Sequence, residues 1–138
     1  MTRQEAREEL ENYKTLLKKI GNYRRRLEEL QTMQNTCRIS VYNHEPKMPR
    51  PYRQEELIDK IERVERDYQD LLSRSIVFMH KIERRVERLK GSRYTVIHSR
   101  YIENKKRIEI AFKLNMSIEW VRRNEYKGLD EYASLTEE

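Results

Sequence analysis

The first part of the chain carries apolar residues at helical spacing. Between about residues 4 and 35 they recur mostly every three or four positions, at Leu10, Tyr13, Leu17, Ile20, Leu27 and Leu30. This spacing places the side chains on one face of an α-helix. Gly21 weakens such a helix by roughly 1 kcal/mol relative to alanine, and Arg24 interrupts the apolar stripe. We therefore predict a long helix that needs a partner to cover its apolar face.

A second and more regular stripe follows between residues 54 and 90. Its positions are Leu57, Ile61, Val64, Tyr68, Leu71, Ser75, Phe78, Ile82, Val86 and Leu89. Intervals that alternate between four and three are the heptad signature of a coiled-coil seam. Because so narrow a stripe is unstable in water, we predict that the two helices pair as a long antiparallel hairpin. We expect residues 1–91 to serve dimerisation or contact with a partner such as RNA polymerase.

All three prolines lie between the two stripes. Pro46, Pro49 and Pro51 fall within residues 43–52, and each removes a backbone donor and disfavours helix in the preceding residue. We predict an extended linker between the helices in preference to a binding segment, although Lys47 and Arg50 make it mildly basic.

The pattern changes again at Gly91 and Ser92, which predict the end of the second helix and the N-cap of a third. Residues 93–102 indicate a short amphipathic helix with Tyr94, Ile97 and Tyr101 on one face. Residues 103–105 form a polar break. Two more helices are predicted, over residues 107–114 and from residue 118 toward residue 135. Residues 92–138 therefore form a predicted three-helix domain with an acidic C-terminal tail.

The last two predicted helices meet the steric demands of a helix-turn-helix. Ala111 is small where the helices cross, and Asn115, four residues later, tolerates a left-handed turn. Val121, six residues further, is the apolar β-branched residue expected to pack back on the first helix. Ser117 is the predicted N-cap of the second helix. Three other apolar residues are expected to complete this core: Ile110, Leu114 and Met116.

The positive charge of the chain is concentrated in this region. The whole chain has a net charge of +6, whereas residues 92–128 hold nine basic and four acidic side chains, and residues 129–138 have a net charge of −4. A basic face on a helix-turn-helix is typical of proteins that bind duplex DNA. The alternative, a helical hairpin that only caps the coiled coil, leaves this charge unexplained. Two alternatives stay open for the acidic end, Asp130 to Glu138: it is ordered, or it shields the basic domain until DNA displaces it.

Composition supports an all-α fold class, namely a long antiparallel helical hairpin followed by a three-helix helix-turn-helix domain. Charged residues make up 39% of the chain, and only three glycines and three prolines occur. No apolar run approaches the roughly 20 residues of a membrane span, and the N-terminus lacks the apolar region of a secretory signal. With Cys37 as its single cysteine, the chain is expected in the cytoplasm and not at a membrane.

Nothing in the sequence points to catalysis. His44, His80 and His98 are scattered, and no metal-ligand spacing or glycine-rich phosphate loop is present. Cys37 lies in no motif that would activate its thiol. We expect neither an enzyme nor a bound metal or cofactor.

A family resemblance supports the DNA-binding interpretation. The string Glu109 to Arg123 (EIAFKLNMSIEWVRR) resembles the region-four helix-turn-helix of bacterial sigma factors, and His98 to Glu103 (HSRYIE) resembles the segment that precedes it. Behind a long helical hairpin, the arrangement resembles the late-gene transcriptional regulators of phages and prophages of the ArpU and RinA type. The resemblance covers about 45 residues. It departs from the pattern at Asn115, which replaces the usual glycine, and at Asn124, where an apolar residue is usual.

This resemblance implies a sequence-specific transcriptional activator that acts on double-stranded DNA, and we expect a homodimer. If the second helix of the motif enters the major groove, its exposed side chains meet bases and the flanking cations meet phosphates. The predicted DNA-binding residues are Lys105, Lys106, Arg107, Lys113, Ser117, Glu119, Arg122, Arg123, Tyr126 and Lys127. Trp120 is open to two interpretations, of which packing against the helix of Tyr94 is favoured over contact with DNA.

Two other classes of protein fit the pattern less well. A viral DNA-packaging component, such as a small terminase subunit, also combines a helix-turn-helix with a coiled coil, but usually places the DNA-binding element first. A helical protein-interaction module that docks on RNA polymerase would use the same helices without binding DNA.

Overall fold

The computed structural model describes residues 1–43 and 54–135, with side chains from residue 37 to residue 43 left aside. The helices of this part of the chain are α1 (Arg3–Asn43), α2 (Gln54–Glu87), α3 (Gly91–Ile97), α4 (Arg107–Leu114) and α5 (Ile118–Leu135), and a π-helical turn (His98–Ile102) follows α3. No strand occurs within these ranges. The two long helices pack together and shorter helices follow, which confirms the predicted all-α class.

The ends of the two long helices differ from the prediction. α1 continues to Asn43, whereas we predicted its end near residue 35. Residues 36–43 contain neither glycine nor proline, so each added residue gains a backbone hydrogen bond and nothing stops the helix. α2 ends at Glu87, three residues before its predicted end at residue 90. There the amides of Arg88 and Leu89 donate hydrogen bonds to the carbonyls of Arg85 and Val86, which tightens the last turn. Beyond Asn43, the predicted linker lies outside the described residues.

Packing divides the chain into two compact units, of which one consists of Lys18–Ser75. Its core joins the later part of α1 to the beginning of α2. The buried members are Leu30, Leu57, Ile61 and Val64, against which Tyr23, Leu27 and Met33 pack. The predicted stripe positions therefore meet each other as expected for a helical hairpin.

The other unit consists of Met1–Leu17 and Ile76–Glu138. Its main core brings the first turns of α1 and the last turns of α2 together with α5. The buried members are Ala6, Leu10, Tyr13, Ile82, Val86, Leu89, Ile97, Tyr101, Leu129, Tyr132 and Ala133. Early α1 thus pairs with late α2, as an antiparallel hairpin requires. The helix-turn-helix shares a core with the base of this hairpin, so the packing does not follow the predicted boundary at residue 91.

Polar contacts between α1, α2 and α5 reinforce this shared core. One carboxylate oxygen of Glu9 accepts hydrogen bonds from Arg85 and from the Tyr132 hydroxyl, each 2.8 Å long. The Tyr13 hydroxyl donates to Glu83 at 2.7 Å. Burial, and then the neighbouring carboxylate, raises the pKa of both tyrosines well above the usual range. Each of these buried hydroxyls therefore stays protonated and keeps its role as a donor.

Gly128 is required where α3 crosses α5. A Cβ atom at this position would lie 2.5 Å from Cγ1 of Ile97, a fully buried side chain. By contrast, a Cβ atom at Gly21 in α1 would meet nothing within 4 Å. The helix-weakening effect of glycine applies to both positions, whereas the close approach applies to Gly128 alone.

We expect the two glycines to respond to alanine with opposite signs. Gly128→Ala should lower the free energy of unfolding by about 1–3 kcal/mol, because Ile97 cannot move without disturbing the core. Gly21→Ala should raise it by about 0.5–1 kcal/mol through helix propensity alone. Urea denaturation followed by circular dichroism measures both. Equal stabilisation by the two substitutions would mean that α3 and α5 can move apart to admit the added methyl group at no cost in free energy.

Candidate nucleic-acid interface

The turn between α4 and α5 has the geometry predicted for a helix-turn-helix. Asn115 adopts the left-handed conformation, with φ 56° and ψ 42°. The amide of Met116 donates to the carbonyl of Ala111 at 2.9 Å, and that of Asn115 donates to Phe112 at 3.2 Å. The Ser117 hydroxyl accepts the Trp120 amide at 3.1 Å, as an N-cap does. The predicted roles of Asn115 and Ser117 are confirmed.

A small separate core holds the two helices of the motif together. Val121 and Ala111 are buried in it with Ile110, and Val96 of α3 completes the cluster. Trp120 and Leu114 pack against it, so the packing interpretation of Trp120 is confirmed.

The predicted core role of Met116 is wrong. Its side chain is 42% exposed. The buried members of the small core include Val96 of α3 and do not include Met116. Met116 follows the left-handed turn directly, and its amide donates to the Ala111 carbonyl.

The segment before the motif is not one regular helix. α3 continues directly into the π-helical turn, and the amides of Glu103 and Lys105 donate to His98 and Ser99 at 3.0 Å and 2.9 Å. Asn104 closes this segment with a φ of 57°. The predicted apolar face is nevertheless present, since Ile97 and Tyr101 are buried and Tyr94 packs against the same core.

Ser92 does not cap α3, contrary to the prediction. Lys90 occupies the N-cap position without a side-chain hydrogen bond. The Ser92 hydroxyl instead donates to the side-chain oxygen of Asn124 at 2.9 Å, and the Asn124 amide donates to the Trp120 carbonyl at 2.9 Å. Asn124 is buried, so these bonds explain how a polar side chain replaces the apolar residue usual at this position.

Glu125 is the main residue of this region that sequence reasoning missed. Its side chain is 1% exposed, and it accepts hydrogen bonds from the Tyr101 hydroxyl at 2.9 Å and from Nε of Arg107 at 2.7 Å. Nε of Arg100 lies 3.8 Å from the same carboxylate. The carboxylate thus joins α5, the π-helical turn and α4. Glu125 lies four residues after Val121 and four before Leu129, so it shares their buried face of α5. This spacing was the one signal in the sequence that could have predicted its burial.

The environment of Glu125 perturbs its neighbours. The hydrogen bond to Glu125 raises the pKa of Arg107, and burial, followed by the charge of Glu125, raises the pKa of Tyr101 above its usual range. Arg107, predicted as a phosphate anchor, is therefore a partner of a buried carboxylate in this structure.

The remaining predicted DNA-binding residues fall into three groups. Lys106, Arg123 and Lys127 are exposed, and no ion pair or hydrogen bond of their side chains occurs within the described residues. Arg122 pairs with Glu119 at 2.8 Å and Lys105 pairs with Glu103 at 2.9 Å, all near the surface. Exposed side chains are also found at Lys113 and Ser117.

Tyr126 differs from these residues. It is half-buried against the main core, and its ring lies beneath two guanidinium groups of α1, 5.0 Å from Arg3 and 5.5 Å from Arg7. The exposed residues of α5 include Glu119, Arg123 and Lys127, which are spaced by four residues, and Arg122 lies beside them. Tyr126 lies at the edge of this face, where it contacts protein.

Apolar side chains are also exposed on the motif, which the sequence analysis did not predict. Phe112 is 90% exposed and Ile108, one turn earlier on α4, is 61% exposed. Ile118, the first residue of α5, is 43% exposed. Exposed cations also lie on the motif, at Lys106, Lys113 and Arg123, so its surface is both basic and apolar.

In the described ranges, no helix is long and apolar enough to cross a membrane, and no three His, Cys, Asp or Glu side chains are grouped as ligands of a metal ion. Comparisons with protein-family models, with curated proteins and with solved structures found no match.

Proposed function

We propose that this chain is a sequence-specific double-stranded DNA-binding regulator of transcription that reads the major groove with α5. The observation that carries the proposal is the exposed cationic face at the start of α5, on the second helix of a helix-turn-helix. The left-handed turn at Asn115 and the core around Val121 fix the angle between α4 and α5. In proteins of this kind the second helix lies in the major groove with its first turns against base edges.

The polar side chains at the start of α5 suit this role. A guanidinium group can donate two hydrogen bonds to guanine, and a carboxylate can accept one from cytosine. Arg123 is exposed and has no ion-pair partner among the described residues, and Arg122 is held beside Glu119 by their ion pair. We assign Lys106 and Lys113, which are exposed, to phosphate contacts, since such contacts orient a protein on duplex DNA without reading sequence.

The resemblance to late-gene regulators of phages and prophages supports a role as an activator in the bacterial cytoplasm, with RNA polymerase as a possible protein partner. Homodimerisation through the hairpin would place two motifs on two half-sites one helical turn of DNA apart.

A selection experiment tests the proposal. A random duplex pool is incubated with the full chain at two salt concentrations, and the bound fraction is sequenced. We expect the wild type to enrich a site that Arg122→Ala/Arg123→Ala no longer prefers, because each lost guanine contact costs about 1–3 kcal/mol of discrimination. Arg63→Ala/Arg66→Ala removes the same charge from exposed positions of α2 and should keep the preference.

A second candidate function is docking on a protein partner, and the exposure of Phe112 and Ile108 on α4 favours it. In that case the wild type would bind no duplex even at low salt, and the search for a partner would begin with RNA polymerase.

A further inference from the structure

Ile118 stands out among the residues at the leading end of α5. It is the first residue of the helix, between the capping Ser117 and the ion-paired Glu119. It belongs to neither of the two buried clusters that hold the motif, and 43% of it is exposed. Because Ile118 belongs to neither cluster, its exposed side chain is available for contact with a ligand.

The direction of the side chain indicates where that contact lies. Side chains on an α-helix tilt toward its N-terminus, so Ile118 projects at the end of α5 that leads into a groove. Arg122 follows four residues later, on the same side of the helix. The nearest basic residues in the sequence are Lys113, five residues before Ile118, and Arg122, four residues after it, and phosphates attract such side chains. A duplex base edge is thus the surface that this combination of charge and apolar character fits.

Within the major groove, one base offers an apolar group to such a side chain. Thymine carries a methyl group at C5, and apolar protein side chains recognise it by contact. We propose that Ile118 is a specificity-determining residue that packs on the methyl group of a thymine; this inference rests on the proposed function.

Helix geometry sets the register of this contact relative to the arginine. Four residues of α-helix rise about 6 Å, and successive base pairs are about 3.4 Å apart. The thymine read by Ile118 therefore lies one to two base pairs from the guanine read by Arg122. A selected site should contain both bases at that separation, with Arg122→Ala relaxing the guanine position and Ile118→Ser relaxing the thymine position.

The decisive experiment replaces each thymine of the selected duplex, one at a time, by deoxyuridine. This change removes only the C5 methyl group. We expect one position to weaken wild-type binding about fourfold, which corresponds to the loss of one buried methyl group. Ile118→Ser should bind the thymine and deoxyuridine duplexes equally well. Ile108→Ala, which truncates an exposed isoleucine of α4, should retain the full response and serves as the matched control.

The outcomes separate this inference from the proposed function. If the wild type selects a site but tolerates deoxyuridine at every position, the thymine contact is wrong while DNA recognition stands. Persistence of the fourfold response in Ile118→Ser would also overturn the contact, since another residue would then make it. If no site is selected at all, the proposed function fails first. Circular dichroism of Ile118→Ser, expected to match the wild type, excludes unfolding as the cause of a lost response.

Discussion

Replacement of Glu125 by alanine is expected to lower the free energy of unfolding by about 3–5 kcal/mol, the usual cost of breaking a buried ion pair. The carboxylate is fully buried and binds both Tyr101 and Arg107. Its removal leaves the Tyr101 hydroxyl without an acceptor inside the core. It also leaves Nε of Arg100 without compensation, a buried donor that already has no hydrogen-bond partner among the described residues.

Urea denaturation of the full chain measures this effect, and Glu119→Ala is the matched control. Glu119 lies on the same helix and also pairs with an arginine, but its pair is exposed, so its loss should cost less than about 1 kcal/mol. Glu125→Gln should fall between the two, because an amide oxygen still accepts a hydrogen bond from Tyr101 while the charge is gone. A change below about 1 kcal/mol in Glu125→Ala would show that water or a shifted side chain replaces the carboxylate.

Glu125 also explains why Arg107 differs from the neighbouring cations. Arg107 starts α4, Tyr101 lies in the π-helical turn, and Glu125 lies in the middle of α5. The carboxylate therefore fixes the start of α4 against α5, and with it the orientation of the helix proposed to enter the groove. We infer that Arg107 supports DNA binding by positioning α4, with its positive charge largely neutralised by Glu125.

The helix-turn-helix was predictable because its steric demands act over a short stretch of chain. α4 was predicted with its observed bounds, and Asn115, Ser117 and Val121 have their predicted roles. The left-handed turn, the cap and the close crossing each depend on residues no more than ten positions apart. Local chemistry therefore determines them almost independently of the rest of the protein.

Features that depend on distant partners were not predictable in the same way. The hydroxyl and guanidinium partners of Glu125 lie 24 and 18 residues earlier in the chain, and no local pattern links them. Heptad spacing indicated that the apolar faces of α1 and α2 must be buried against other helices, but it could not identify α5 as one of those helices. Tyr126 was assigned to DNA from its position on α5, whereas Arg3 and Arg7 reach it from the other end of the sequence.

The exposed apolar residues show a different limit of pattern reading. Periodicity assigns apolar residues to a core by default, which placed Met116 there and left Ile118 without a role. Only the structure distinguishes the residues of the small core from those that remain outside it. For a binding protein, this distinction separates stability from recognition, since side chains left outside the core are the ones available to a ligand.

The affinity of the chain for its selected duplex is expected to fall about a thousandfold between 50 mM and 200 mM salt, if about six phosphates are contacted. Each contact neutralised by a cation contributes about 0.9 to the slope of log affinity against log salt. Lys106, which is exposed and unpaired in the described structure, should contribute the full value of about 0.9 to this slope. Arg107 should contribute little, because Glu125 already neutralises it.

The test compares salt slopes of single variants, measured by fluorescence anisotropy with a labelled duplex. Lys106→Ala should reduce the slope by about 0.9 if one copy binds, or by about 1.8 if a dimer binds two half-sites. Arg107→Ala should change the slope far less, while its stability falls because Glu125 loses a partner. Lys18→Ala, an exposed lysine in the other unit, should leave both slope and affinity unchanged. If Arg107→Ala instead reduced the salt slope by about 0.9, DNA would draw the Arg107 guanidinium away from Glu125. Arg100 would then have to pair with the buried carboxylate in the complex.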